Sequence, residues 1–272
     1  MFAGKDIDEL IEKLSHGDNE LIESLLREID SELQLNDELL NDSKENFMEL
    51  YPILMELAKV SKDEFIRIDS IRIIDRFNSL FEEHGILEEV SETLIEVLIW
   101  DESESVKTSA ALSLSLEVYD EFLPEHIAKF IEIYYNSEDI NFRHYQHGLL
   151  NHCFYIASKE DANNIIKVFR NILSNNLFAQ EPYSGFVELK AAVHSLGRIA
   201  LECDELNRDQ IIYDLMELLE KRKDHVYVGD ELKDDEIKEI ASEALQELAI
   251  KLKYYYRMKL ITEYKRRKNF LK

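Results

Sequence analysis

The sequence is poor in the residues that interrupt helices and form turns. Its 272 residues include only 7 glycines and 3 prolines, whereas 45% of them are hydrophobic and 33% are charged. Sheet proteins need more turn residues, so this composition favours a mostly helical chain. The net charge of −25 does not indicate disorder, because disorder requires low hydrophobicity as well.

Cysteine is scarce, and no long apolar run is present. Cys153 and Cys203 lie in stretches with helical spacing, which predicts two buried, reduced thiols and no disulfide framework. No stretch approaches the roughly 18 to 20 apolar residues that a membrane-spanning helix needs. Acidic residues interrupt the N-terminal stretch at once, unlike in a signal peptide. We therefore expect a cytoplasmic protein.

A recurring helix-turn-helix pattern is the main positive signal. In residues 92–114 an apolar helix ends at Trp100, an acidic turn follows, and a second helix carries Val106, Ala110 and Ala111. The same frame recurs in residues 50–74, 123–150 and 234–245, and in a degenerate form in residues 185–200. This pattern resembles the HEAT repeat, whose second helix carries a valine, a basic residue and paired alanines at this spacing.

The spacing of the frame supports the resemblance. The equivalent positions are Ile66, Val106, Phe142 and Ile237, which we expect to be buried; the last interval spans roughly two repeats. The resemblance implies an all-α, right-handed α-solenoid of about six HEAT-like helix pairs with an extended C-terminal helix. It specifies a fold and no activity.

The expected organisation is a single solenoid domain over residues 1–272. Residues 1–35 are predicted to form an N-terminal capping pair, residues 44–250 the repeats, and residues 251–272 a basic helical extension. An acidic residue near each second helix is expected to cap free backbone amides. The candidates are Asp63, Asp101, Asp139 and Asp234. The basic residue that follows is expected to pair with an acid in the turn.

The C-terminal segment differs from the rest of the chain in charge. Residues 251–272 carry nine of the 32 basic residues and one of the 57 acidic ones, which leaves 23 basic and 56 acidic residues before them. Its candidate partner-binding residues are Arg257, Lys265, Arg266 and Arg267. Two interpretations stay open. The segment caps the fold against acids of the same chain or of a second copy in a homodimer, or it binds nucleic acid phosphates.

Two long connections are the other candidate partner-binding elements. Residues 175–185 and 223–235 are each predicted to join the first and second helices within a repeat, and the two connections are expected to emerge on the same rim. They carry Phe178, Tyr183 and Tyr227 among acids. Aromatic anchors with a charged rim are typical of protein interfaces. The alternative is that these rings fold back on adjacent helices.

No catalytic or cofactor site is recognisable. His144 and His147 lie one helical turn apart, with His152 nearby, but two ligands do not make a metal site. No glycine-rich phosphate loop or nucleophile motif occurs, and none of the eight histidines precedes a glutamate, unlike in the HEAT-type enzyme deoxyhypusine hydroxylase. Trp100 is expected to pack in the core. We therefore predict no metal, no cofactor and no enzymatic activity.

The resulting prediction is a non-catalytic scaffold or adaptor. It presents an elongated acidic surface to a protein or peptide, with a basic one favoured by charge. The first alternative is a nucleic-acid-associated protein that uses residues 251–272. The second is a HEAT-type metal-dependent enzyme or assembly factor with a metal near His144.

Overall fold

The computed structural model describes residues 7–35, 44–78, 81–177, 184–222, 225–228, 231–234 and 236–270. Helices dominate these ranges, as the low glycine and proline content predicts. The chain divides into two compact units, residues 1–158 and residues 159–272.

The described part of the first unit consists of successive helices. They are α1 Ile7–His16, α2 Asn19–Leu35, α3 Lys44–Val60, α4 Glu64–Arg76, α5 Phe81–His84, α6 Leu87–Trp100, α7 Glu104–Leu114, α8 Ile127–Asn136 and α9 Ile140–Ile156. Helices α1, α3, α6 and α8 contact one another in this order and form one layer. Helices α2, α4, α7 and α9 do the same and form the second layer. Each helix of the first layer therefore pairs with the next along the chain.

The second unit repeats this arrangement. Its helices are α10 Lys159–Asn176, α11 Ser184–Glu202, α12 Glu205–Lys221 and α13 Glu236–Phe270. Helix α10 contacts α12, α11 contacts α13, and the two layers pack together. Within the described ranges the chain thus contains six helix pairs, which confirms the predicted all-α repeat architecture. The single domain over residues 1–272 stays a prediction. The division into two units does not test it, because each repeat of a solenoid contacts mainly its neighbours.

The four equivalent positions of the repeat pattern form the core, as predicted. Ile66, Val106, Phe142 and Ile237 are completely buried, each near the start of a second-layer helix. Apolar side chains at this position fill the space between a helix pair and its neighbour, which drives the stacking of pairs.

Small residues allow the second-layer helices to approach closely. Ala110, Ala111 and Ala241 are fully buried. A β-carbon added at Gly197 on α11 would lie 2.7 Å from the Ala244 β-carbon on α13, closer than packed carbon atoms tolerate. The backbones therefore meet at these positions because no larger side chain separates them.

The turns within helix pairs confirm two predicted caps and correct a third. The side chains of Asp63 and Asp139 accept hydrogen bonds from the backbone amides of the first turn of α4 and α9. At the start of α7 the cap is Ser103, and Asp101 accepts a hydrogen bond from the Ser103 amide instead. Asp234 ends a β-strand, and its side chain lies outside the described residues.

The long connection predicted over residues 223–235 is partly regular in structure. It contains two antiparallel strands, β1 His225–Val228 and β2 Glu231–Asp234, with Val228 opposite Glu231. A β-branched and aromatic strand followed by the dipeptide Gly229-Asp230 is a hairpin signal. The helical pattern on both sides masked this local signal.

The last helix continues through the basic segment, as predicted. Helix α13 has 35 residues and ends at Phe270, which corresponds to about 52 Å at 1.5 Å per residue. Whether it caps the fold stays a prediction, since its side chains beyond Lys253 lie outside the described residues. In the part of the chain that the structure describes, no helix combines the length and apolarity needed to span a bilayer.

Candidate binding site around Trp100

The residues that we singled out as partner-binding candidates are only partly placed. Phe178 and Tyr183 lie outside the described residues, between α10 and α11. The backbone of Tyr227 lies in β1, paired with Leu232, but its side chain is outside the described part. The same holds for the side chains of four residues whose backbone belongs to α13, namely Arg257, Lys265, Arg266 and Arg267. Their roles stay predictions.

Trp100 lies at the surface, so the expectation that it packs in the core was wrong. The side chain is 74% exposed at the last position of α6. Helix α6 buries Leu94, Val97 and Leu98. Trp100 follows exposed Glu96 by four residues, so these two lie on the same solvent-facing side of the helix. That i, i+4 relation to a charged residue is a sequence signal that would have indicated exposure.

A shallow cavity of about 360 Å³ lies beside the ring. Its lining consists of Lys59 from α3 and Glu96, Val97, Trp100 and Asp101 at the end of α6. Lys59 forms an ion pair with Glu96 across the two neighbouring helices. The cavity therefore combines one aromatic ring, one aliphatic side chain and charges of both signs.

A lysine from the next helix of the same layer lies over the Trp100 ring. The Lys129 ammonium nitrogen is 5.8 Å from the ring centroid, within the range of a cation–π contact. The same ammonium donates a hydrogen bond of 2.9 Å to the Glu132 carboxylate one turn further along α8. Trp100 is thus in contact with a cation, and that cation is held by an exposed carboxylate.

The turn below Trp100 is fixed by a buried ion pair. One terminal nitrogen of the Arg67 guanidinium donates to the Asp101 carboxylate at 3.0 Å, and the other donates to the Ser61 carbonyl at 2.7 Å. The Ser103 hydroxyl donates to Glu64 at 2.7 Å, from one repeat to the preceding one. These contacts hold the C-terminal end of α6 in place, and they neutralise the Asp101 charge.

The carboxylates that remain near the ring are exposed and weakly held. The Glu96 side chain is 54% exposed in its pair with Lys59, and the Glu132 side chain is also exposed in its pair with Lys129. Surface ion pairs of this kind contribute only about 0–1 kcal/mol. Helix C-termini also carry partial negative charge on their free carbonyl groups. The surroundings of Trp100 therefore carry exposed negative charge that is only weakly neutralised.

The histidines of α9 do not converge on one point. His147 is buried, and its ring nitrogen lies 3.2 Å from the Tyr134 hydroxyl; burial lowers the pKa of His147 to about 3. His152 lies 2.6 Å from the Asp120 carboxylate, whereas His144 is exposed. Among the residues that the structure describes, no three potential ligands could hold a metal ion together. The predicted absence of a metal stays a prediction.

Both cysteines are buried and unpaired, as predicted. Burial raises the pKa of the Cys153 thiol to about 12 and that of Cys203 to about 11. Both side chains are therefore thiols at neutral pH, and neither has the lowered pKa of a catalytic cysteine.

A second exposed apolar surface lies on α12 in the other unit. Leu206, Tyr213 and Met216 follow one another at helical spacing and are at least half exposed. Tyr213 is a suitable comparison for Trp100, because both are exposed aromatic side chains on first-layer helices.

Comparison with known proteins identifies the fold. No family model matches the sequence, and no curated protein matches it. Among solved structures, a designed armadillo repeat protein in complex with the peptide (KR)4 matches with a TM-score of 0.59 at 16% identity, over 89% of this chain and 99% of that chain. An engineered protein of the Northeast Structural Genomics Consortium matches with a TM-score of 0.63 at 17% identity, over 89% and 98% of the two chains.

A third similar structure is that of computationally designed armadillo repeat proteins for modular peptide recognition. Its TM-score is 0.59 at 15% identity, over 89% of this chain and 99% of that chain. Identities this low establish a common fold and nothing about ligands. The chain is an all-α repeat protein with the fold of armadillo-like and HEAT-like α-solenoids.

Proposed function

We propose that this chain is a non-catalytic interaction scaffold that binds a basic protein or peptide segment. The observation that carries the proposal is Trp100, a large aromatic side chain left exposed beside the exposed carboxylates of Glu96 and Glu132. Exposed aromatic anchors with a wet, charged rim are typical of interaction surfaces.

The charge of the whole chain supports a basic partner. A net charge of −25 creates a negative potential that accelerates encounter with cationic segments and disfavours anionic ones. A designed protein of the same fold was solved in complex with an alternating lysine–arginine peptide. That complex supports a basic segment as a partner that this architecture accommodates.

The repeat architecture suits a protein that acts by binding and needs no catalytic centre. Stacked helix pairs expose one long face per layer, and contacts can be distributed over several repeats. The two cysteines and His147 are buried and therefore withdrawn from solvent. Binding is accordingly the activity that we propose.

The first experiment measures whether a basic peptide binds the full chain. A fluorescently labelled octapeptide of alternating lysine and arginine is titrated with protein, and anisotropy is recorded at several salt concentrations. We expect saturable binding that weakens as salt rises, because exposed charges are screened. A glutamate octapeptide is the control. If the basic peptide does not bind at low salt, the proposed function is wrong.

A nucleic acid partner is the second candidate, favoured by the uninterrupted course of α13 through residues 251–270. A helix that carries this much positive charge can place several basic side chains along a phosphate backbone. The same titration with a labelled single-stranded RNA separates the two candidates. RNA binding that is lost after deletion of residues 257–272, with no binding of the basic peptide, favours the second candidate.

A further inference from the structure

We propose that the Trp100 ring receives one cationic side chain of the basic partner, an arginine in preference to a lysine, and that Lys129 occupies this place in the free protein. The proposal rests on the proposed function, since it requires a basic partner. It adds the residue type that the partner contributes and the atoms that recognise it.

The position of Lys129 shows that the ring accommodates a cation. Its ammonium nitrogen lies 5.8 Å from the Trp100 centroid, while 74% of the tryptophan surface remains exposed to solvent. Tryptophan has the most favourable ring for this interaction among the aromatic side chains. The contact restricts the Lys129 side chain and leaves much of the Trp100 ring exposed. Another cation can therefore compete with Lys129 for the ring.

A second cation–ring contact in the same protein is of a different kind. The Arg222 guanidinium lies 5.7 Å from the Phe186 centroid, and both side chains are buried. Arg222 also donates to the Leu177 carbonyl at 2.9 Å. That contact belongs to the packing of the second unit. The contact at Trp100 lies at the surface, beside an open cavity, where a partner can reach it.

The carboxylates around Trp100 favour a guanidinium. Glu96 lies one helical turn before Trp100, and both line the cavity of about 360 Å³. A guanidinium group is planar, stacks on an aromatic ring and binds a carboxylate through two parallel hydrogen bonds. An ammonium group is not planar, so it can neither stack flat on the ring nor form two parallel hydrogen bonds to a carboxylate. Asp101 is not available, since Arg67 already binds its carboxylate.

The lysines now present are replaceable. Lys59 and Lys129 both form exposed ion pairs, with Glu96 and Glu132. Such pairs contribute little to stability and are screened by salt. An incoming arginine can displace Lys129 from the ring while Lys129 keeps its hydrogen bond to Glu132. Removal of Lys129 should therefore strengthen binding of the partner.

Trp100 itself provides the readout, because it is the only tryptophan in the sequence. Its fluorescence, excited selectively over the tyrosines, is recorded while octa-arginine or octa-lysine is added to the full chain. The two peptides carry the same charge. We expect a saturable change in Trp100 emission with both, and binding about threefold to tenfold tighter for octa-arginine, in line with one additional stacked and bidentate contact.

Variants of the ring and of its lysine test the same contact independently, with anisotropy of labelled octa-arginine as the readout. Trp100→Ala should weaken binding about fivefold to tenfold, whereas Tyr213→Ala, the exposed aromatic control on α12, should leave it unchanged. Lys129→Met should strengthen binding about threefold. Lys167→Met removes an equal charge from an exposed lysine of α10 and should have a smaller effect. Circular dichroism melts verify that each variant is folded.

The outcomes separate this inference from the proposed function. If octa-arginine binds but Trp100 emission is constant and Trp100→Ala binds equally well, the inference is wrong and the proposed function stands. Equal affinity for octa-lysine and octa-arginine in the wild type overturns the preference for arginine. If neither peptide binds, the proposed function fails and the inference fails with it.

Discussion

The two sides of the α6 C-terminus carry ion pairs with opposite consequences. On the inner side, Arg67 and Asp101 are 11% and 7% exposed and connect two successive repeats. On the outer side, Lys59 and Glu96 are largely exposed, next to the Trp100 ring. Ion pairs of the same kind thus hold successive repeats together where water is excluded, and they are weak and screened where they are exposed. Burial, and not charge, distinguishes the pair that fixes the turn from the pair that we propose lies at the binding surface.

The largest effect should come from breaking the buried pair. Asp101→Ala leaves the Arg67 guanidinium uncompensated between two repeats, and we expect the free energy of unfolding to fall by about 3 kcal/mol or more. Glu96→Ala is the matched control on the exposed side and should cost less than about 1 kcal/mol. Urea denaturation of both variants measures the difference. Equal losses would contradict the distinction.

Acidification should distinguish a buried from an exposed histidine on α9. The pKa of His147 is lowered to about 3 from 6.5, mainly by burial, with nearby His144 and Arg143 adding to the shift. The unfolded chain therefore binds this proton more readily. Stability from neutral His147 is complete above pH 6.5 and is lost as pH falls toward 3.

Between pH 7 and pH 5 the loss attributable to His147 should be about 2 kcal/mol, at about 1.4 kcal/mol per pH unit below 6.5. His147→Gln should flatten this part of the pH profile of the unfolding free energy. His144→Gln, at an exposed position one turn away, is the control and should leave the profile as it is. A profile that His147→Gln does not change would show that other groups cause the acid sensitivity.

Overpacking should separate buried from exposed positions of α7. Ala110 is fully buried, so Ala110→Leu forces the adjoining helices apart and should lower the free energy of unfolding by about 1–3 kcal/mol. Ser105→Leu adds a large side chain at an exposed position of the same helix and should change it by less than about 0.5 kcal/mol. Thermal melts compare the two variants. A tolerated leucine at position 110 would contradict close packing of the second layer.

The smallest expected effect on the described repeats is that of removing the basic segment. Deletion of residues 257–272 should lower the melting temperature by a few degrees, or convert a dimer into a monomer, if the segment binds acids of this chain or of a second copy. Melting curves and light scattering measure both quantities. If neither changes while RNA binding disappears, the basic segment is a ligand site and not part of the fold.

Local pattern explains which features could be predicted from the sequence. The helix pairs, the burial of Ile66 and Phe142, and the caps at Asp63 and Asp139 all depend on residues within one or two turns of helix. The hairpin over residues 225–234 has a local signal too, in a valine-rich strand before Gly229 and Asp230. The stronger helical periodicity of the flanking residues obscures this signal.

The candidate binding site could not be predicted in the same way. The i, i+4 relation of Trp100 to Glu96 indicates a solvent-facing side of the helix, but it does not specify which side chains of neighbouring helices contact the ring. Trp100 contacts Lys129, which lies 29 residues later in the sequence. Lys59 pairs with Glu96, which lies 37 residues later. Whether such residues meet depends on how α3, α6 and α8 are rotated and stacked, which no local pattern specifies.

The sequence by itself determined the helical class, the repeat period and the residues that fill the core, because apolar spacing and turn chemistry act over short stretches of chain. Tertiary packing alone decided which polar groups were withdrawn from water. It buried Arg67 with Asp101 and left Trp100 with Lys129 at the surface. The physical reason is that the effective dielectric around a charge depends on every element packed against it, and those elements come from different repeats.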